Sequence, residues 1–309
     1  MLRLLHLVPR IRRRDERDAT AAKLAGVLRR ICQRDAIAVR AVAYGALPAL
    51  VLSAALGTWI LLRFGLPVLP VLAAGGVFYA GLVILLERLT PYSRDWQQPH
   101  GDVVTDLMHL AITGGLVESA PALGLGPANL SLWPVQWPLI AQILLVLLLT
   151  ELLNYWVHRL MHGPLWRFHA VHHSARRLYW MNSWRVHPVE GLTYCVFTVM
   201  PLLVLGAPAM SLTIVWAFST VFRMLQHSNV DVRLGPLNWI FAGPELHRWH
   251  HSPKRSEQTN YGNVLAIWDV LFKTRRMPES PPLEVGLDSG KYPTAYAAQL
   301  LEPFRSSQR

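Results

Sequence analysis

Charge is scarce in this chain of 309 residues: Asp, Glu, Lys and Arg together make up 16%, against roughly a quarter in soluble domains. Cysteine is scarcer still. Cys32 and Cys195 stand alone, which excludes a disulfide framework and a thiolate metal site. Whole stretches lack charge: residues 41–62, 64–86, 119–150 and 191–222 have none. A helix of about 20 apolar residues crosses the hydrocarbon of a bilayer, so these absences argue against a soluble domain and predict a polytopic membrane protein. No small-residue cleavage site follows the N-terminal apolar run, so no cleaved leader is expected. An interfacial amphipathic segment is the expectation there.

Acidic residues are the minority sign, 19 against 30 Lys and Arg, for a formal charge of +11. The excess is uneven: residues 1–40 hold eleven Lys and Arg against four Asp and Glu, and residues 119–137 hold no charge. That pattern reads as a topology signal, since basic flanks stay in the cytoplasm. Attraction to anionic lipid or an acidic partner comes second, and no nucleic-acid partner is implied.

The expected architecture is all-α: a polytopic membrane helical bundle of about four spanning helices plus a short re-entrant hairpin, under a cytoplasmic histidine-rich helical cap. Its parts are a basic N-terminal segment over 1–40, transmembrane helices within 41–150, a catalytic region over 145–273 and a tail over 278–309. Helices are expected near 41–62 and 64–86, from about Thr105, and from Trp137. The stretch 191–222 carries "LGAP" at 205–208, a Gly/Pro breaker. A hairpin there keeps His187 and His227 on one membrane face.

What the chain has in abundance is histidine, and ten of its thirteen fall between residues 151 and 260. His158 and His162 form H-x-x-x-H. His169, His172 and His173 form H-x-x-H-H, and His247, His250 and His251 repeat it, both inside the frame H-x-x-H-H-S-x-(R/K)-R. Residues three or four apart share a helix face; adjacent ones diverge by about 100°. Each triad can therefore give adjacent imidazoles to different ions, and the total suggests two metals. Ten crowded imidazoles are costly to bury without metal. Nitrogen ligation suits Zn, Fe, Cu or Ni, so donor type does not choose among them.

The series H-x-x-x-H, H-x-x-H-H, H-x-x-H-H resembles the fatty acid hydroxylase/sterol desaturase superfamily of integral-membrane di-iron enzymes. Also similar are "NYWVHRLMHGPLWRFHAVHHS", "RVHPVE", "QHSNV", "PELHRWHHS" and "NYGNVLAIWDVLF". The resemblance covers about residues 145–273. It implies two non-haem irons, O2 as co-substrate, electrons from an external donor, and hydroxylation or desaturation of a lipid: sterol, fatty acyl or alkylglycerol. It carries the ligand role onto His158, His162, His169, His172, His173, His247, His250 and His251, with His227 as the additional histidine and His187 as a tenth candidate. One departure is "LFKT", where Lys273 stands in place of the Gly common in relatives.

Around the histidines, Glu151 lies seven residues before His158, on the same helical face. An intramembrane carboxylate is a functional candidate. Glu151 is expected to accept a ligand histidine N–H, or else to pair with an arginine. Asp102, Asp106 and His109 share a face and are further candidates for supporting the ligands, with a solvated helix end as the alternative. Asn182 and Arg185 are candidates for orienting ligands or lipid headgroups. Arg176, Arg177, Lys254 and Arg255 follow the triads and suit either phospholipid headgroups or an acidic electron donor of ferredoxin or cytochrome b5 type. The competing function is a histidine-rich membrane metal transporter or sensor, whose ligands belong near the bilayer midplane. A zinc hydrolase needs about three protein ligands and leaves the repeat unexplained.

Overall fold

The computed structural model describes residues 37–115, 130–278, 282, 284–288 and 291–305. The basic segment 1–36 and most of the loop 119–137 lie outside the described residues. Among the described residues every regular element is helical. Among the described residues, five helices are long and apolar enough to cross a bilayer: α1 (Ile37–Arg63), α2 (Val68–Leu89), α4 (Leu139–Met161), α6 (Pro188–Leu205) and α7 (Ala209–His227). A shorter apolar helix, α3 (Val103–Gly114), follows α2. Three more short helices matter below: α5 (Trp166–His173), α8 (Pro244–His250) and α10 (Tyr296–Leu301), with α9 (Ile267–Leu271) between the last two.

Punctuation residues set the breaks. Gly65, at φ +80°, and Pro67 separate α1 from α2, so the second helix starts four residues later than the charge pattern suggests. The 191–222 stretch is a hairpin, with Gly206 at φ +88° and Pro208 capping α7. A left-handed residue of this kind suits glycine. The arms have 18 and 19 residues, so they are as long as spanning helices and not the short dip expected. Inside α6 the helix takes a wider turn over Cys195–Val199, with backbone hydrogen bonds spanning one residue more than in an α-helix. Pro201 follows; it has no N–H for the carbonyl of Phe197 and its ring crowds that carbonyl.

α7 is the most buried span. Val221, Phe222 and Leu225 pack in one cluster with Leu47, Val51 and Ala54 of α1 and Ala80 and Val83 of α2. Between lipid-embedded helices this is close packing aided by small residues, since lipid tails are as apolar as leucine. The outward faces are apolar too: Leu52, Leu56, Val77 and Ile140 are exposed.

Polar ties gather several helix ends at one pole. Arg233 N–H reaches the Ala43 carbonyl at 2.8 Å and Tyr92 N–H the Asn229 carbonyl at 3.0 Å. Glu87, near the end of α2, accepts from the amides of Trp180 (2.8 Å) and Asn229 (2.9 Å). The start of α1, the end of α2 and the end of α7 therefore meet the loops that bear the histidines.

Candidate metal centre

Four elements deliver nine imidazoles to this pole. α4 ends in His158 and, one turn on, His162; Gly163 and Pro164 stop it there. α5 carries His169, His172 and His173. α7 ends at His227. Gly243 and Pro244 start α8, which carries His247 and His250 and ends at His251. Proline at the first helical position is preset for that turn.

The nine fall into two groups. His158, His162, His169, His173 and His250 form one; His172, His227, His247 and His251 form the other. Within each, the ligand atoms lie within 4.8 Å of one another. Neighbours in sequence part company: the rings of His172 and His173 stand at 82°, those of His250 and His251 at 88°. Each triad thus serves both groups, and the groups adjoin, with His173 and His251 stacked at 4.5 Å.

Hydrogen bonds on the far side of several rings decide what the near side offers. His158 Nδ1 donates to the Tyr261 carbonyl (2.8 Å), His250 Nδ1 to the Thr259 carbonyl (2.7 Å), and His227 Nδ1 to the Arg223 carbonyl (2.9 Å). His169 Nδ1 donates to the Glu190 carboxylate at 2.7 Å. A neutral imidazole that donates from Nδ1 presents a lone pair at Nε2. His158 and His169 then aim two lone pairs at each other across 3.2 Å. Those lone pairs repel, unless a cation lies between them. Other Nε2 separations are 3.2 Å for His162–His250 and His169–His173, and 2.8 Å for His227–His247. Adjacent nitrogens about 3 Å apart suit metal–nitrogen bonds of about 2.1 Å. The residues fit metal ions.

Burial keeps the cluster neutral. The imidazole of His169 is pushed down to about 3, and those of His172, His173, His247, His250 and His251 fall well below the usual histidine range. Desolvation is the main cause; in all but His169, like-charge repulsion between neighbouring imidazoles adds to it. A folded-state value below the unfolded one gives stability that is present above the unfolded pKa and lost as pH falls through it. The metal-free protein is therefore expected to lose stability below pH 6.5, down toward 3 for His169. The slope is about 1.4 kcal/mol per pH unit for each histidine that must charge. Thermal unfolding of chelator-treated protein in detergent, run from pH 7.5 to 5, checks this; a flat profile would contradict it.

The remaining expected residues take other places. His187 lies outside both groups: its Nε2 is 3.1 Å from the Leu300 carbonyl and its Nδ1 accepts the Val189 amide, capping α6. With both nitrogens engaged in this way, it does not join the cluster. Among the described residues, the hydrogen bonds that Glu151 accepts come from the amides of Val264 and Leu265 and the Asn154 side chain, and none comes from a histidine. It pins the loop after α8 to α4.

Asp106 is fully buried and pairs with Arg185, also accepting from Tyr179 Oη (2.7 Å) and Asn182 Nδ2 (3.2 Å). Arg185 donates in turn to the Val171 carbonyl and Ser174 Oγ, at the end of α5. The pair fastens the first triad's helix from behind. His109 bonds Val186 and Gln299. Arg177 is buried in a two-pronged pair with Asp102, so it is no surface cation; Arg176, Lys254 and Arg255 are exposed.

Sequence reasoning missed Glu190, although it opens an apolar run just as Glu151 sits within one. It also missed Asp269, which holds the amides of Tyr261 (2.7 Å) and Gly262 (2.8 Å) and so shapes the loop whose carbonyls hold His158 and His250. Gly262 has no room for a side chain: a Cβ would lie 2.4 Å from the Leu265 carbonyl. Lys273, at the position where the family resemblance implies glycine, adopts φ +59°, a left-handed turn that glycine takes without strain.

A cavity of about 140 Å³ opens from the histidines into the membrane-spanning part. His158, His169, His172, His227 and His247 form its head; Val146, Val199, Leu202, Leu212 and Val215 line its apolar depth.

Residues 143–274 match the model of the fatty acid hydroxylase family. Over 245 residues the chain is 39% identical to an ornithine lipid hydroxylase of Rhizobium tropici, covering 74% of each protein. The chain belongs to the fatty acid hydroxylase family. It is also 32% identical over 123 residues to the alkylglycerol monooxygenase of Homo sapiens, covering 39% of this chain and 27% of that one. A very-long-chain aldehyde decarbonylase of Oryza sativa is 32% identical over 144 residues, 43% of this chain and 46% of that one. No solved structure matches the chain. As a fatty acid hydroxylase family member it is a multi-pass membrane oxidoreductase acting on lipid, with a histidine cluster of the kind its family uses for iron-dependent oxygenation. The transporter or sensor reading has no support among these relatives.

Proposed function

We propose that the two histidine groups hold two non-haem irons and that the enzyme hydroxylates a membrane lipid. The observation that carries this is the pair of adjoining groups at the head of an apolar cavity. His158, His162, His169, His173 and His250 would hold one iron; His172, His227, His247 and His251 the other. Bound iron would supply the activation of O2 needed to break an unactivated C–H bond. Overall, the lipid C–H bond, O2, two electrons and two protons give an alcohol and water.

The chain's own contribution is placement and dryness. Glu190 and the carbonyls of Tyr261, Thr259 and Arg223 turn four rings so that Nε2 faces inward, and such partners also make the ligand more basic. The apolar depth of the cavity receives the lipid and keeps bulk water from the reacting carbon. Ornithine-type lipid is the first substrate to try, because that name belongs to the relative aligned along most of both chains.

The metal site and the N-terminus lie on the cytoplasmic side in this reading. The connections at the pole away from the histidines, residues 64–67 and 206–208, carry no charge, whereas Arg94, Arg167, Arg176 and Arg233 flank the site. Single cysteines at Arg176 and Leu237 are expected to react from the cytoplasmic side, and at Leu66 and Leu132 from the opposite one, in a background lacking Cys32 and Cys195. Labelling of all four from one side would overturn this orientation. Electrons would come from an acidic ferredoxin- or cytochrome b5-type protein docking at Arg176, Lys254 and Arg255. Arg255 supports this: it lies 4.3 Å over the Trp166 ring, which itself packs on His162 at 5.3 Å.

The test compares lipids from cells with and without the protein under oxygen-18 gas. A lipid heavier by one labelled oxygen, made only when the protein is present, is expected. No protein-dependent change, or label arriving from water, would reject the reading.

A further inference from the structure

The histidine-bearing pole has an apolar flank that the metal centre does not use. On α9, Ile267, Val270 and Leu271 are exposed, the last at 62%, and their spacing of three and four residues puts them on one face. Beside them stand Trp239, exposed at 58%, and Ile240. Backbone bonds join the two segments: the Ala266 amide donates to the Ile240 carbonyl and the Ala242 amide to the Val264 carbonyl, both at 2.8 Å. Arg275 ties them again. Its Nε lies 3.2 Å from the Asn238 carbonyl and its guanidinium 3.9 Å over the Trp239 ring. An apolar face of this kind marks an interaction site when it is not simply wet surface.

The flank continues the lipid-facing side of α4. Ile140, Leu144, Leu148, Trp156 and Leu160 are exposed, at spacings of four or eight residues that make a stripe winding slowly around the helix. Trp137, just before α4, is exposed too. From Leu139 to Trp156 the helix rises about 26 Å, close to the roughly 30 Å of bilayer hydrocarbon. Tryptophans favour the two membrane interfaces, so Trp156 marks the boundary layer on the histidine side. The Phe272 ring, one residue past α9, lies 5.0 Å from that of Trp156, which holds α9 at the same level. Cations frame the face: Arg159 lies 5.4 Å over the Trp156 ring, and Lys273 and Arg275 follow α9 with no acidic residue from Val270 to Pro278. Apolar and aromatic residues with a basic rim suit a segment lying in the interface, where long cationic side chains rest on apolar surface and extend to the headgroups.

We propose that α9 and the turn at 239–240 form a foot seated in the phospholipid leaflet on the histidine side. The occupant is phospholipid because the face runs on from the lipid-facing stripe of a spanning helix and its cations stand at headgroup level. The inner side of α9 carries Asp269, fully buried, which holds the amides of Tyr261 and Gly262 in the ligand loop. One short helix therefore meets lipid on its outer face and the ligand loop on its inner one. This seating goes beyond the enzymatic reading and does not depend on it.

The experiment uses the full chain lacking Cys32 and Cys195, in nanodiscs of phosphatidylcholine and phosphatidylglycerol. Single nitroxide labels are placed through Ile240→Cys, Ile267→Cys and Leu271→Cys, so that a label disturbing one position leaves two to report. Leu144→Cys gives the hydrocarbon reference and Lys254→Cys the water reference; both positions are exposed. Electron paramagnetic resonance compares relaxation by oxygen, which concentrates in hydrocarbon, with relaxation by a neutral nickel chelate, which stays in water. At 240, 267 and 271 the ratio of oxygen to nickel contact is expected to exceed that at 254 several-fold and to approach that at 144. Ratios equal to the one at 254 would overturn the seat. So would labels shielded from oxygen and nickel alike, with spin–spin broadening in discs that hold two labelled chains, a result that assigns the face to a second copy.

Discussion

Alanine at His173, and separately at His247, is expected to lower hydroxylation by more than about 100-fold and to remove bound iron, since even a ligand's outer partner is worth 10- to 100-fold. The two substitutions strike different groups. His173 lies in the set of five, with Nε2 3.2 Å from those of both His169 and His250. His247 lies in the set of four, 2.8 Å from His227 and 3.0 Å from His251. If each group holds its own iron, each variant disables the pair through a different member. His187→Ala is the informative control, because His187 serves a helix cap and the Leu300 carbonyl. It is expected to keep its iron. Iron analysis beside turnover checks all three; a variant at His187 that loses iron as His173→Ala does would contradict this division.

Glu190→Gln is expected to reduce activity or iron affinity by about 10- to 100-fold while leaving the fold intact. Glu190 Oε1 accepts from His169 Nδ1 at 2.7 Å with both side chains buried. The carboxylate fixes the ring's orientation and keeps Nε2 free to bind. An amide keeps the shape but loses the charge that raises the ring's basicity. Glu151→Leu should behave oppositely. It strips the acceptor from the amides of Val264 and Leu265 and costs about 1–3 kcal/mol for each buried group left unpaired. Its signature is a lowered unfolding temperature in the metal-free protein. Equal thermal stability of Glu151→Leu and the wild type would remove Glu151 from the frame.

These contrasts show which features the sequence made legible. The histidine frame announced the centre because ligand spacing is local: i, i+3 and i+4 on short helices fix which rings share a face. The membrane character was legible from missing charge, and the hairpin from Gly206 and Pro208. What one residue string hides is the pairing of distant groups. Glu151 and Glu190 are both carboxylates in apolar surroundings, and only the fold decides which meets a histidine and which meets a backbone. His187 sits in a suggestive motif, yet α6 begins at the next residue and draws its imidazole into the cap. Arg177 looked like a surface cation beside Arg176, but Asp102, 75 residues earlier, takes it inward.

The central claim is that nine histidines form two adjoining iron sites. Anaerobic reconstitution with ferrous iron followed by metal analysis tests it most directly. Two irons per chain are expected, one for each histidine group; a single iron, or zinc held in preference to iron under the same conditions, would contradict it.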